Sequence, residues 1–147
     1  HALAHGADAL GALAESYHLG TPELTVLLDV IADRLLLPAS RLLTSGEPDR
    51  MAQATMRILR RNLVPLPVVE SWVARLSAAA GRMSGRGDRD PYLDCFDAEA
   101  FLRALYLQVG LAPNPPQIRS DLLLVLVDAL RATNPHYLAA VVEPTRG

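Results

Sequence analysis

Residues 121–132 read DLLLVLVDALRA, and this stretch decides between an all-helical chain and one that contains a β-strand. Six successive apolar residues, 122–127, stand between two aspartates and are consistent with a buried strand. The apolar pattern continues through Leu130 to the length of a helix, and the rest of the sequence offers no partner strand. We therefore predict a helix that is apolar on nearly every side, central in the core or at an oligomer interface.

Proline and glycine divide the remaining chain into further predicted helices. A proline at the first helical position loses no hydrogen bond, so prolines indicate helix starts. The predicted starts are Pro22, Pro48, Pro67, Pro115 and Pro135. Glycines fall where helices should end, consistent with left-handed C-terminal positions, and these are Gly20, Gly46, Gly81 and Gly110.

Apolar residues between these marks follow helical spacing, as in Leu24, Leu28, Ile31 and Leu35. A weaker first helix carries Leu3, Leu10, Ala14 and Tyr17, and Asp97 is the predicted N-cap of a helix that starts at Ala98. The sequence thus predicts a single compact all-α domain over residues 1–147, with six or seven helices and the Leu122–Leu130 helix at its centre. Residues 81–90, GRMSGRGDRD, form a predicted flexible loop, and no internal repeat is evident.

Composition narrows the classes of function. The net charge of −2 gives no electrostatic signature for nucleic acid or an anionic membrane. Cys95 is the single cysteine, so nothing indicates an oxidising compartment, and we expect an intracellular protein, cytoplasmic or, if viral, nuclear. All 14 basic residues are Arg, which indicates a GC-rich coding sequence from a high-GC bacterium or a large DNA virus. Because the chain starts at His1 rather than Met, we expect a piece of a larger regulatory or virion protein.

No catalytic or metal-binding motif is present in the sequence, so we predict a non-enzymatic protein without cofactor or metal. His1 and His5 have the spacing for a metal, but they stand at a chain end. The acidic neighbours of Cys95 should raise the pKa of its thiol, the wrong direction for a nucleophile. Arg86-Gly87-Asp88 matches a tripeptide that some proteins use to bind adhesion receptors, and three residues recur often by chance.

Two apolar runs carry more large side chains than one helical face can bury, which indicates a patch for a protein partner or a second copy. The predicted patch residues are Leu36, Leu37, Val64 and Leu66, with Arg57, Arg60 and Arg61 as a charged rim. Two other interpretations stay open. The apolar side chains could fold back over the core, and the arginines could simply favour the C-terminal end of a helix.

The stretch Thr21 to Leu43, TPELTVLLDVIADRLLLPASRLL, resembles the closing helices of repressor-type helix-turn-helix domains. It combines a helix that carries Leu27, Ile31 and Ala32 with a Leu-Pro turn and a short helix predicted at Ala39–Leu43. The resemblance implies a DNA-binding regulator fragment that uses the helix from Pro22 and the arginines at 57–61. Residues 8–20 offer no helix pair with polar base-reading side chains, so DNA binding is the alternative and a protein-interaction module the first prediction.

Overall fold

Every regular element that the structure describes is a helix. The computed structural model describes residues 2–38, 42–81 and 90–138. Its helices are α1 (Ala2–Ala14), α2 (Thr21–Leu36), α3 (Glu47–Leu59), α4 (Leu66–Ala80), α5 (Phe96–Leu111), α6 (Arg119–Thr133) and α7 (Pro135–Leu138), with a 3-10 turn at Pro91–Asp94. The all-α prediction is confirmed, and residues 121–132 lie within α6 rather than in a strand. None of these helices is long and apolar enough to cross a membrane.

Some predictions fall on segments outside the described residues. The predicted flexible loop is one of them, apart from its first and last positions, Gly81 and Asp90. Arg86-Gly87-Asp88 and His1 also lie outside the described residues. The short helix predicted at Ala39–Leu43 is described only at Leu42 and Leu43, which are not helical.

Consecutive helices alternate between two layers. In one layer α3 packs between α1 and α5, and in the other α4 packs between α2 and α6.

The core lies between the two layers, and Trp72, the only Trp in the sequence, connects helices across it. Trp72 on α4 donates its indole N–H to the Leu28 carbonyl on α2 over 2.7 Å. Its ring meets Phe101 of α5 edge-to-face, with 5.7 Å between ring centroids. Because Trp72 is 4% exposed and Phe101 is fully buried, the pair joins three helices in a water-free interior.

α1 packs against α3 through a face of small residues, and the predicted Leu3 and Leu10 are partly buried against the core. Its buried residues are Ala4, Ala7, Gly11 and Ala14, which share one face. A Cβ added at Gly11 would lie 2.8 Å from Cδ of Arg57 and 3.4 Å from the Ala54 Cα. Small side chains thus allow a close approach of the two helices. Tyr17, predicted on this helix, follows it and is 83% exposed.

α6 is the helix predicted to lie centrally in the core or at an oligomer interface. Leu122 and Leu126 are fully buried, but Leu124 between them is 66% exposed. Within the described residues, the helix packs on α4, α5 and α7. Its apolar residues therefore divide between the core and the outer surface, which periodicity alone does not reveal.

Most predicted helix boundaries agree with the structure. Pro22, Pro48 and Pro67 lie in the first turns of α2, α3 and α4, and Pro135 starts α7. The start predicted at Pro115 is wrong, because α6 begins at Arg119. The helix ends predicted at glycines agree less well with the structure. Gly46 is left-handed but precedes α3, and in the described part of the chain the non-glycine residues with positive φ are Asn62 and Asn114, in the loops after α3 and α5.

The loops α1–α2, α3–α4 and α5–α6 are hydrogen-bonded to one another at one end of the layers. Arg61 donates to the carbonyls of Ala14, Ser16 and Leu19 in the first loop, at 2.7–2.9 Å. Thr21 donates back to the Leu63 carbonyl at 2.8 Å. On the other side, Arg60 donates to the carbonyls of Pro113 and Asn114 at 2.9 and 2.8 Å, and the Asn62 side chain accepts from the Gln117 N–H. Each loop is thus fixed to its neighbour.

Candidate functional site

The end of the molecule away from α1 contains a cleft of about 620 Å³. The end of α4, the 3-10 turn, the first turns of α5, the end of α6 and the start of α7 line it. Ligand sites in proteins commonly have volumes of about 300–1,000 Å³ and few polar groups among apolar walls. The cleft has this size and, as described below, this composition.

Aromatic side chains are concentrated in this cleft. The chain has one Trp, four Tyr and two Phe, and of these Tyr92, Phe96 and Tyr137 line the cleft. They are 55%, 40% and 88% exposed, respectively. Tyr and Phe side chains that remain exposed around a concave surface are typical of binding sites, where they supply large contact areas.

Local sequence features place these rings. Asp90 caps the 3-10 turn, since its Oδ1 accepts from the Tyr92 backbone N–H at 3.0 Å. Pro91 provides the fixed φ that starts the turn, and Phe96 follows as the first residue of α5. On the opposite wall, the Asn134 carbonyl accepts from the N–H groups of Tyr137 and Leu138, which forms α7.

A polar cluster connects α5 to the junction of α6 and α7 inside the cleft. Glu99 Oε1 accepts from Arg103 Nε at 3.0 Å and from the Asn134 side-chain amide. Arg103 Nη2 donates to Asn134 Oδ1 at 2.6 Å, which closes a ring of three side chains. Because each member contacts the other two, the three side chains support one another's orientation.

The second carboxylate oxygen of Glu99 is without a donor. Oε2 has almost no accessible surface, and it makes no hydrogen bond within the described part of the chain. The Glu99 side chain as a whole is 16% exposed. A buried acceptor that lacks a donor is unfavourable by about 1–3 kcal/mol, so a group that supplies a donor here gains that energy.

Cys95 lies in the same wall and is buried. Burial raises the pKa of its thiol above 9.0, and the nearby carboxylates of Asp94 and Glu99 raise it further. The predicted direction from the acidic neighbours is therefore confirmed, although burial is the larger cause. The thiol stays protonated at neutral pH, so it contributes packing to the cleft and is not activated as a nucleophile.

Few charged side chains line the cleft within the described residues. Glu99, Arg103 and His136 are in its lining, and Asp90 and Asp94 lie in the segment just before α5. Within the described residues, no group of three or more His, Cys, Asp or Glu side chains is arranged to hold a metal ion. The described lining thus combines aromatic walls with one carboxylate and one guanidinium.

The predicted patch residues do not form one surface. The Thr21 bond to the Leu63 carbonyl places residues 63–66 at the start of α2, whereas Leu36 ends this helix about 22 Å away at ~1.5 Å per residue. Val64 is 6% exposed, Leu66 is half-buried, and Leu36 packs partly buried against the core. Of the four, Leu37 is the exposed one, at 57%. Their role in binding a partner stays a prediction.

The predicted charged rim makes contacts within the chain. Arg57 Nε lies 3.1 Å from Glu15 Oε1 on the α1 side. Arg60 and Arg61 donate to the carbonyls of two different loops. These guanidinium groups thus stabilise the fold, and the structure does not place them around a common binding surface.

The residues of the cleft cannot be grouped from the sequence for an identifiable reason. Glu99 and Asn134 are 35 positions apart and meet because α5 and α6 pack together. The usable signal was the concentration of rare aromatic residues, since Tyr92 and Phe96 lie within five positions in a chain with few rings.

Comparison with known proteins identifies a family but no function. No curated protein and no solved structure matches the chain. Residues 1–107 match the family described as a protein of unknown function, DUF2785. The matched range runs from α1 into α5, so it includes Tyr92, Phe96, Glu99 and Arg103 but not Asn134 or Tyr137. Since the match covers 107 of the 147 residues, the chain belongs to the DUF2785 family.

Proposed function

We propose that this chain is a non-enzymatic protein-interaction module that binds a short segment of a partner in the cleft between α4, α5 and α6. The observation that carries the proposal is the set of exposed rings of Tyr92, Phe96 and Tyr137 around the fixed Glu99–Arg103–Asn134 cluster. Aromatic anchors and a few preorganised polar groups are what peptide-binding sites use to gain affinity and specificity.

The same proposal includes the cellular location, the parent protein and the kind of partner. The module acts inside the cell as one part of a larger regulatory or virion protein, in keeping with its single cysteine. The partner is another protein or a second copy of this chain. Sedimentation velocity over a range of concentrations tests self-association, since a sedimentation coefficient independent of concentration contradicts it.

DNA binding is less well supported as the alternative. Three of the arginines that it requires, Arg57, Arg60 and Arg61, already contact groups within the chain. Binding to a duplex needs several phosphate contacts, and the net charge is −2. A titration of labelled duplex DNA at low salt and at ~150 mM salt tests it. Tight binding that weakens steeply with salt supports the alternative, and no binding at low salt removes it.

A selection experiment tests the cleft directly. A displayed library of short random peptides is selected on the full chain and then compared on two variants. Ala132→Trp fills the cleft from an exposed position on α6, and Ala9→Trp adds the same side chain to an exposed position on α1. We expect peptides that bind the wild type and Ala9→Trp but lose binding to Ala132→Trp. Failure to enrich any peptide, or equal binding to both variants, contradicts the proposal.

A further inference from the structure

We infer that the cleft recognises the cationic side chain of an Arg or Lys residue in the partner. Its guanidinium or ammonium group pairs with Glu99 Oε2, and its aliphatic stem and charge lie against Tyr92, Phe96 and Tyr137. This inference rests on the proposed function and names the chemistry that the site selects.

Glu99 has a carboxylate oxygen that lacks a donor. Oε1 accepts from both Arg103 and Asn134, whereas Oε2 is buried and without a hydrogen bond in the described part of the chain. A carboxylate oxygen gains most from a charged donor, because charge-assisted hydrogen bonds are about twice as strong as neutral ones. Because Oε2 has almost no accessible surface, a ligand reaches it only when the groups that cover it move aside.

The walls of the cleft suit a cationic side chain. A cation over the face of a Tyr or Phe ring is attracted by the ring's negative face, and the attraction increases as water is excluded. Two tyrosines and one phenylalanine line the cleft, and all three are exposed enough to contact a ligand. The long apolar stems of Arg and Lys also suit walls of this kind.

The charges in the lining are already partly paired. Among the described residues that line the cleft, Glu99 is the carboxylate and Arg103 the permanent cation. Arg103 is held by Glu99 and Asn134, so part of its charge is already compensated. A cationic ligand is complementary to the carboxylate oxygen that this pairing leaves without a donor, Glu99 Oε2.

The test uses small probes rather than an unidentified partner. Backbone amide NMR spectra of the full chain are recorded during titration with N-acetyl-arginine amide or with N-acetyl-citrulline amide, which has nearly the same shape but no charge. We expect the arginine probe to shift amides around Glu99 and Asn134, with affinity in the millimolar range. The citrulline probe should bind about tenfold or more weakly, the factor for one lost charge-assisted bond.

Two variants sharpen this comparison. Glu99→Gln keeps the shape of the side chain and removes its charge, so it should lose the preference for the arginine probe. Glu70→Gln makes the same change at an exposed position on α4 and should leave the preference intact. Because the two probes are first compared on the wild type, the result does not depend on whether Glu99→Gln folds well.

The outcomes separate this inference from the proposed function. Equal binding of the two probes, unchanged preference in Glu99→Gln, or no shift with either probe overturns the recognition of a cation. If the peptide selection then yields neutral peptides that need an open cleft, the interaction module stands and only its chemistry was misjudged.

Discussion

Arg60 and Arg61 are neighbours in the sequence, yet their guanidinium groups donate to opposite neighbours of α3. Arg61 holds three carbonyls of the α1–α2 loop, and Arg60 holds two carbonyls of the α5–α6 loop. The guanidinium of Arg suits this role because its five donors lie in a fixed plane and can serve several acceptors at once. Two adjacent residues thus connect all three loops at one end of the fold.

Removing these donors should destabilise the fold unequally. We expect Arg61→Met to lower the free energy of unfolding by about 2–3 kcal/mol, because it leaves part-buried carbonyls without a charged donor. The hydrogen bonds of Arg60 are exposed, so Arg60→Met should lower the free energy of unfolding by about 1 kcal/mol. Urea unfolding of both variants measures the difference, with Arg131→Met on the exposed face of α6 as the control. Equal losses in all three variants would contradict the structural role of Arg61.

Asp97 gives the stability of the fold a distinct dependence on pH. Asp97 is 6% exposed, and its Oδ1 accepts from the Leu43 N–H at 3.0 Å. The sequence predicts Asp97 as the N-cap of a helix, whereas this bond joins it to a distant segment. Burial raises the pKa of Asp97 above its ordinary value of 3.8, while the Leu43 bond and Arg34 oppose the shift. The folded state therefore holds the proton more tightly than the unfolded state. The contribution of Asp97 to the free energy of unfolding is fully present below pH 3.8 and is lost as the pH rises through the raised pKa.

Asp97→Asn should remove this dependence, because the amide keeps an acceptor for Leu43 and has no charge to bury. We expect the difference in unfolding free energy, variant minus wild type, to increase with pH over the acidic range and then level off. Denaturant unfolding at a series of pH values measures it. Asp128→Asn, at an exposed position on α6, is the matched control. A wild type that gains stability over Asp97→Asn as pH rises would show that the pKa is lowered instead.

Gly6 and Gly11 lie on the same helix and should respond differently to alanine. An added Cβ at Gly6 meets nothing within 4 Å, so Gly6→Ala should stabilise the fold by about 0.5–1 kcal/mol through helix propensity. At Gly11 the added Cβ would lie 2.8 Å from Cδ of Arg57, which must move away from Glu15. In Gly11→Ala we expect this contact to cancel the stability gained through helix propensity. Thermal unfolding of both variants measures the difference in stability. An equal gain at both positions would mean that α1 and α3 are less closely packed.

Much of the fold could be predicted because its signals are local. Pro22, Pro48 and Pro67 mark helix starts through a constraint that each residue carries by itself. The helix at residues 121–132 followed from its length and from the absence of a partner strand in the sequence. The layered order could not be predicted in this way, because contacts between helices that are distant in sequence leave no local signal. α1 buries alanines and a glycine, whereas α5 buries Phe101 and leucines.

The candidate site was less accessible to sequence reasoning. Leu36 and Val64 looked like one apolar surface, yet they lie near opposite ends of α2. Arg61 looked like a free cation, yet its bonds go to backbone carbonyls, which have no side-chain signature in a sequence. Glu99 and Asn134 meet only through packing of distant segments, and such pairings become visible once the helices are assembled.

The position of α6 and α7 as one wall of the cleft has a consequence for the proposed binding. Segments with fewer packed neighbours open locally at a lower free energy than segments packed between two neighbours. The cleft has α6 and α7 as one wall and α5 as the other, so a ligand that contacts both walls would bind only while these walls are in place. Occupancy of the cleft would therefore be thermodynamically linked to the order of α6 and α7.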